Sequence, residues 1–256
     1  MKISLVTVTY NSQNTIRDTI ESVLRQDYDN IEYIIIDGES TDGTMGIVGE
    51  YSGRIAHVVS EKDNGIYEAM NKGIKLATGD YVGILNSDDF FSSDDVVSKM
   101  VAFLNENRCD AVYGDVHYVA CENVAKMTRY YSSRQFRRWM MRFGFMPAHP
   151  SFYVRSDLFK KLGYYSTDYK IAADFELILR YIFVNSIDAR YLPLDFVTMR
   201  TGGVSNQSLN SHKIIFSEHR KALKENGVYS NSLFLMSRYF FKSCELLWFK
   251  LGRIFK

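Results

Sequence analysis

Four runs of β-branched and apolar residues near the N-terminus each end in a polar or acidic turn. Ile3-Ser-Leu-Val-Thr-Val-Thr9 leads into Tyr10-Asn11-Ser12, and Ile31-Glu-Tyr-Ile-Ile-Ile36 leads into Asp37-Gly38-Glu39-Ser40-Thr41-Asp42-Gly43. Val58-Val59 precedes Glu61-Lys62-Asp63-Asn64-Gly65, and Asp80-Tyr-Val-Gly-Ile84 leads into Leu85-Asn86-Ser87-Asp88-Asp89. Runs of this composition bounded by turn residues read as strands. Between them, Ile16, Ile20, Val23 and Leu24 fall at helical spacing, and a helix is expected from about Ile66 to Ala77, stopped by Thr78-Gly79. Strands alternating with helices predict an α/β fold: a mostly parallel central sheet with helices on both faces. Thr9, Asp37, Asp63 and Asp88 then stand at four successive strand exits. That is the edge where open α/β sheets bind ligands.

Two adjacent carboxylates at the exit of a buried strand are costly without a cation or a solvated cleft. Asp88 and Asp89 therefore make a hard-cation site, because Mg²⁺ takes one or two protein carboxylates together with substrate phosphates. The competing reading is helix capping by Ser-Asp-Asp, with Asp89 capping a helix that begins near Asp94. A further carboxylate, Asp174, is followed at helical spacing by Leu177, Ile178, Tyr181 and Ile182. It therefore heads the buried face of its own helix, whereas Glu176, with Arg180 at i+4, is expected to be exposed and paired. Partial burial raises a carboxylate's pKa and makes it a better proton acceptor. The alternative role for Asp174 is to complement the helix dipole.

These residues carry a resemblance. Val-Thr-Val-Thr-Tyr-Asn, Asp37-Gly-x-Ser-x-Asp-Gly, Ala69-x-Asn71-x-Gly73 and the acidic pair after Leu85 resemble the family 2 glycosyltransferases, from about residue 3 to about residue 206. The resemblance implies the A-type, nucleotide-sugar-binding fold and transfer of a sugar from a nucleoside diphosphate donor, UDP by family habit. It also implies inversion at the anomeric carbon and a divalent cofactor, Mn or Mg. Carried onto this chain, it gives Thr9, Asn11, Asp37, Asp63, Asn71, Ser87 and Asp88 as nucleotide-binding. Asp88 and Asp89 become metal ligands, and Asp174, in an Asp-x-Glu-Leu match, the catalytic base. Where the family often has Asp-x-Asp, this chain has Asn86-Ser87-Asp88. His149 sits where the family often places a histidine near the active site, and Arg200, beside the paired glycines Gly202 and Gly203, is a candidate for the donor diphosphate. Gln135-Phe-Arg-Arg-Trp139 imitates a signature of the polymerising synthases, but it precedes Asp174 instead of following it. The expected acceptor is a hydroxyl of a glycan or lipid-linked oligosaccharide in surface polysaccharide assembly. A catalytically inactive nucleotide-sugar-binding protein is the alternative.

The 256 residues, 46% hydrophobic, are enough for one catalytic domain, expected over 1–210, with a helical extension over 211–256. Cys109, Cys121 and Cys244 show no paired or metal-ligand spacing, which fits a reduced cytosol. The start carries no signal-peptide cleavage pattern and no segment is apolar enough to span a membrane, so a cytoplasmic location is expected. The net charge of +1 hides a division: residues 1–125 carry 21 acidic and 9 basic side chains, residues 126–256 carry 9 and 22. Such asymmetry points to an anionic partner for one end. Lys126, Arg129, Arg134, Arg137, Arg138 and Arg142, interleaved with Tyr130, Tyr131, Phe136 and Trp139, fit single-stranded nucleic acid, an anionic lipid surface or a solvated helix face. Four strand-exit motifs would be left unexplained by nucleic acid, which is therefore not expected. The tail from Phe234 to Lys256 combines basic residues with a wide aromatic face. It is read as an interfacial helix giving peripheral contact with the inner face of the plasma membrane. Packing on the catalytic domain or on a second copy in a homodimer is the competing reading.

Overall fold

The computed structural model describes residues 1–201 and 209–238. The first half is the expected alternation: β1 (Ile3–Thr9), α1 (Ile16–Leu24), β2 (Ile31–Asp37), α2 (Thr44–Glu50), β3 (His57–Ser60), α3 (Ile66–Leu76) and β4 (Tyr81–Ile84). The second half holds β5 (Phe90–Phe91), α4 (Val96–Asn107), β6 (Ala111–Ala120), β7 (Asn123–Tyr131), β8 (Tyr153–Arg155), α5 (Asp157–Leu162), α6 (Ala173–Ile178), β9 (Ala189–Arg200) and α7 (Leu209–Glu225). Residues 232–238 are helical again.

All nine strands form one sheet in the order β3-β2-β1-β4-β8-β6-β9-β5, with β7 paired to β6. The first four run parallel. β8 is antiparallel to both β4 and β6, which restores the original direction for β6 and its parallel partner β9. Six strands therefore point the same way, and β5, β7 and β8 oppose them. The sheet is mostly parallel, and the exits of β1 to β4 share one edge.

Burial on both faces explains why these runs are strands. Every residue of β1 is buried, as expected of a central parallel strand covered on both sides. Val6, Val8, Ile34 and Ile36 turn to one core with α3, α6 and α7, while Leu5, Tyr33 and Ile35 turn to the other with α1 and α4. Two glycines mark the tightest approaches. A Cβ on Gly73 would lie 2.2 Å from the Val6 side chain, so α3 seats directly on β1. A Cβ on Gly83 would lie 2.1 Å from the Tyr153 ring, which reserves the space beside β4 for β8.

Several expectations change. The basic stretch 126–142 is no helix: it is β7 followed by a 3-10 turn at Arg138–Phe143. Its guanidiniums cover rings, Arg129 over Tyr118 and Tyr131, Arg138 over Phe183 and Arg142 over Tyr229. Within the helical extension expected over 211–256, Ala222, Leu223, Val228 and Leu235 pack into the core beneath the sheet. Cys109 is buried and Cys121 exposed, both free thiols. Cys244, the Gly202–Gly203 loop and the tail beyond residue 238 lie outside the described residues. Among the described residues no helix is long and apolar enough to cross a membrane.

Candidate active site

The exits of β1 and β2 are knotted together by short polar side chains. Asn11, at φ +49°, accepts from the Thr41 N–H at 2.9 Å, and its own N–H donates to Ser40 Oγ at 2.8 Å. Asn11 thus braces the second exit loop. Asp37 is fully buried and accepts from the Ser40 N–H at 3.0 Å, Ser40 Oγ at 2.5 Å and Ser60 Oγ at 2.6 Å. Its carboxylate, expected at the base, is engaged in holding β2, its loop and β3 together.

Asp63 reaches the same place from β3. Its Oδ2 would lie 2.7 Å from a Cβ on Gly38, so the missing side chain makes room for the carboxylate. Its Oδ1 accepts from the Gly65 N–H at 2.8 Å, which sets the backbone turn, φ +130°, that starts α3. Tyr10, 63% exposed, has a ring atom 3.4 Å from the same Gly38 point. Tyr10, Gly38 and Asp63 therefore form one wall of a cleft. Thr9 stands behind it with a buried Oγ1 that has no partner. Tyr10 was not singled out from the sequence, although it lies inside the Thr-Tyr-Asn motif.

The β4 exit carries the acidic pair. Ser87 and Ser12 share a hydrogen bond at 2.8 Å between their hydroxyls, linking this exit to the first. Asp89 is 2% exposed, its Oδ2 has no partner, and the Arg200 backbone and Asn86 side chain are near enough to favour its charged form. Asn86 likewise keeps a buried, unpartnered Oδ1. Burial raises the Asp88 carboxyl above its ordinary range, against the opposing pull of Arg200 and His149. Burial and the neighbouring Asp88 raise Asp89 much further. Asp89 does not cap α4, whose N-cap residue is Asp95. Arg200 is buried; it donates to the Asp88 carbonyl at 2.8 Å, pairs with Asp18 and lies over the Phe90 ring at 4.9 Å. The guanidinium expected at a diphosphate thus ties the acidic turn to α1.

A divalent cation fits this turn. Two desolvated carboxylates and an unpartnered amide oxygen are hard oxygen donors, and the pull of Arg200 leaves both carboxyls raised by burial. Among the described residues no group of three or more acidic, histidine or cysteine side chains converges to hold a metal by itself. The remaining ligands would have to come from substrate and water, as is usual for Mg²⁺.

The second half supplies a carboxylate opposite. Asp174 lies in the first turn of α6, with Oδ1 accepting from the Phe175 N–H at 2.7 Å and Oδ2 3.2 Å from His149 Nδ1. Burial raises the Asp174 carboxyl and His149 restrains the rise. His149 is in contact with Asp174 and near enough to Asp88 to favour the charged form of both carboxylates. Leu177, Ile178, Tyr181 and Ile182 are all buried, as the spacing predicted. Glu176 is the correction: it is buried, not exposed. Arg180 pairs with both its oxygens at 2.9 Å while also donating to the carbonyls of Gly163 and Tyr164. A π-helical segment at Leu179–Val184 follows α6, and Arg180 within it is aimed inward at those carbonyls.

Three side chains hold the approach to Asp174. Glu218 of α7 accepts from the N–H groups of Lys170, Ile171 and Ala172 at 2.7, 3.0 and 2.8 Å. Tyr67 of α3 donates to the Ile171 carbonyl. Asn71, expected in the nucleotide pocket, has its amide in a two-way bond with the Tyr165 backbone at 2.8 and 3.0 Å. It works here as a brace between α3 and the loop before Asp174. Nothing in the local sequence around Glu218 announces this role. Glu218→Gln should lower turnover by about 10- to 100-fold with donor KM kept, since a misplacement of about 1 Å costs about 10² in rate. Steady-state kinetics check this; a lower melting temperature with unchanged kcat would leave Glu218 a merely structural residue.

Comparison with known proteins gives this geometry its family. The model for glycosyl transferase family 2 matches residues 4–163. An uncharacterized glycosyltransferase of Mycobacterium tuberculosis is 34% identical over 182 residues, 70% of this chain and 68% of that protein. A PGL/p-HBAD biosynthesis glycosyltransferase of Mycobacterium bovis is 27% identical over 208 residues, 79% of this chain and 78% of the relative. Among solved structures, S. aureus TarS 1-349 in complex with UDP-GlcNAc superposes with a TM-score of 0.68 at 19% identity, over 87% of this chain and 66% of that one. The mannosyltransferase PcManGT from Pyrobaculum calidifontis, in complex with GDP-Man and Mn²⁺, gives 0.63 at 21% identity, over 87% and 64%. This chain spans only 40% of the longer TarS structure. At such identities the solved structures establish the shared fold. With the family model covering more than half of its length, and with a relative this similar over most of both chains, the chain belongs to glycosyl transferase family 2.

Proposed function

We propose that this glycosyltransferase moves a sugar from a UDP-sugar, with inversion, to a hydroxyl of a glycan or lipid-linked acceptor in surface polysaccharide assembly. The observation that carries the reading is the buried Asp174 carboxylate, 3.2 Å from His149, whose burial makes it a better proton acceptor. In this reading the acceptor hydroxyl gives its proton to Asp174 as its oxygen bonds to the anomeric carbon. The bond from that carbon to the diphosphate breaks on the opposite face. Asp88, with Asp89 behind it, would hold a divalent cation, Mn or Mg, which when bound supplies positive charge to the departing diphosphate. Tyr10 offers its exposed ring to the base, while Thr9, Asp63 and Ser87 line the pocket. Asn11, Asp37 and Asn71 serve it by fixing the loops, and Arg200 by fixing the acidic turn.

UDP is favoured by the TarS complex with UDP-GlcNAc, and a divalent cation by the PcManGT complex with GDP-Man and Mn²⁺. A surface-polymer acceptor is favoured by a putative teichuronic acid biosynthesis glycosyltransferase of Bacillus subtilis, 39% identical over 42% of this chain. The test is a thermal-shift screen of UDP, GDP and their sugars with Mn²⁺, followed by donor hydrolysis with the ligand that stabilises. A melting temperature raised only when UDP-sugar and Mn²⁺ are both present, with slow hydrolysis, is expected. Binding without any turnover would instead identify a nucleotide-sugar-binding protein.

A further inference from the structure

Two basic and aromatic segments far apart in sequence form one surface. Phe143, in the turn at Arg138–Phe143, stacks on Phe234 with ring centres 4.5 Å apart, and Trp139 meets Phe143 edge-on at 5.7 Å. Tyr229 meets Phe234 edge-on at 6.4 Å, Arg142 lies over Tyr229, and Ser230 donates to the Arg142 carbonyl at 2.6 Å. From this joint Trp139, Tyr229, Leu233 and Met236 project outward at 59, 65, 74 and 60% exposure. Leu233 and Met236, three apart on helical backbone, share a face. Exposed apolar groups gathered this closely mark an interaction surface.

Its charge selects the partner. Arg134, Arg137 and Arg138 precede Trp139 in the same segment and are exposed, and none of the three is in an ion pair among the described residues. From residue 123 to residue 156 there is no acidic side chain at all. A second copy docked by two-fold symmetry would set this arginine cluster against itself. Nucleic acid would leave Leu233 and Met236 without bases to stack on. An anionic bilayer satisfies both parts, because aromatic and aliphatic side chains enter the headgroup boundary while cations meet the lipid phosphates.

We propose that the surface built from Arg134 to Phe143 and Tyr229 to Met236 docks on an anionic lipid bilayer. The contact delivers a membrane-held acceptor to Asp174. Arg238 continues this surface inward: it donates to the Gly144 carbonyl at 2.6 Å, lies 3.1 Å from His219, and is close enough to act on the Asp174 carboxylate. His219 stacks on Phe175, the residue after Asp174, at 3.9 Å. Arg238 and His219 therefore link the docking surface to the helix that carries the candidate base. Only the delivery of acceptor rests on the function proposed above; the docking itself does not.

The experiment is flotation of the full chain with phosphatidylcholine vesicles, with and without phosphatidylglycerol. Binding is expected only with the anionic lipid, and weaker in salt. Each basic side chain at an anionic surface contributes about fivefold to partition, so Arg134→Gln/Arg137→Gln/Arg138→Gln should lose about 10²-fold at low salt. Trp139→Ser/Leu233→Ser/Met236→Ser, all exposed positions, should fold normally, release the protein from vesicles and leave donor hydrolysis in free solution unchanged. Wild-type binding by both triple variants, or a full chain that ignores anionic vesicles or pairs through this face as a dimer, overturns the proposal. Vesicle binding by a chain that hydrolyses no donor would overturn the glycosyl-transfer reading and leave the docking surface standing.

Discussion

Asp174→Asn should lower turnover by roughly 10²–10⁴, the usual contribution of a general base, while donor affinity stays near that of the wild type. The amide keeps the shape and can still accept from the Phe175 N–H, so the loss isolates proton transfer from folding. Burial raises the Asp174 carboxyl above its ordinary value, so the base becomes protonated and inactive as pH falls through a range above that of exposed aspartates. The acid limb of the rate profile should therefore lie above the normal carboxylate pKa of about 3.9. His149 restrains the rise, so His149→Ala should move that limb to still higher pH. A pH profile of donor hydrolysis and a nucleotide titration decide the matter. Loss of donor binding with turnover largely kept would refute the base.

Asp88→Asn should abolish cation-dependent donor binding and cost at least about 10²-fold in turnover, since charge stabilisation by a metal is worth several kcal/mol. Activity that persists in EDTA would refute the cation site. Asp89→Asn should behave differently. Its carboxylate is 2% exposed, has an unpartnered oxygen and is pushed toward the neutral acid by burial and by Asp88. Removing that charge should stabilise the cation-free protein by about 1 kcal/mol, or roughly 2–4 °C for a chain of this size. Differential scanning fluorimetry with EDTA and with Mn²⁺ reads both effects. A lower melting temperature of Asp89→Asn in EDTA would mean that its hydrogen bonds outweigh its desolvation.

The first ninety residues were legible because β1, β2 and β4 are contiguous, almost wholly buried runs with abrupt polar exits, and no distant residue is needed to read them. β3, at the exposed edge of the sheet, was read only from Val58-Val59 and the turn after it. β8 was not legible. It has three residues, too few for any periodicity, and its antiparallel seat between β4 and β6 depends on Gly83 leaving space for the Tyr153 ring. The arginine-rich stretch was left open between three readings, one of them a helix face, for a similar reason. Its order comes from rings at Tyr118, Phe183 and Tyr229 that other segments supply. At the site, spacing placed Asp88 and Asp174 on their elements. Spacing is silent on how much hydrogen-bonding capacity a side chain has left. Asp37 and Asn71 have theirs engaged by Ser60 of β3 and by the loop at Tyr165, partners 23 and 94 residues away.

The reach of α3 has a practical consequence for anyone recombining such enzymes. It lies in the first half of the chain, yet Tyr67 and Asn71 hold the loop that leads to Asp174 in the second half. A chimera that exchanges the first ninety residues as a block would import a foreign α3 and sever both ties. A crossover that grafts the donor-side turns at 9–13, 37–43 and 61–65 into this scaffold would leave them intact. If those turns hold the donor as proposed, donor preference should move with the loops and not with the half-chain.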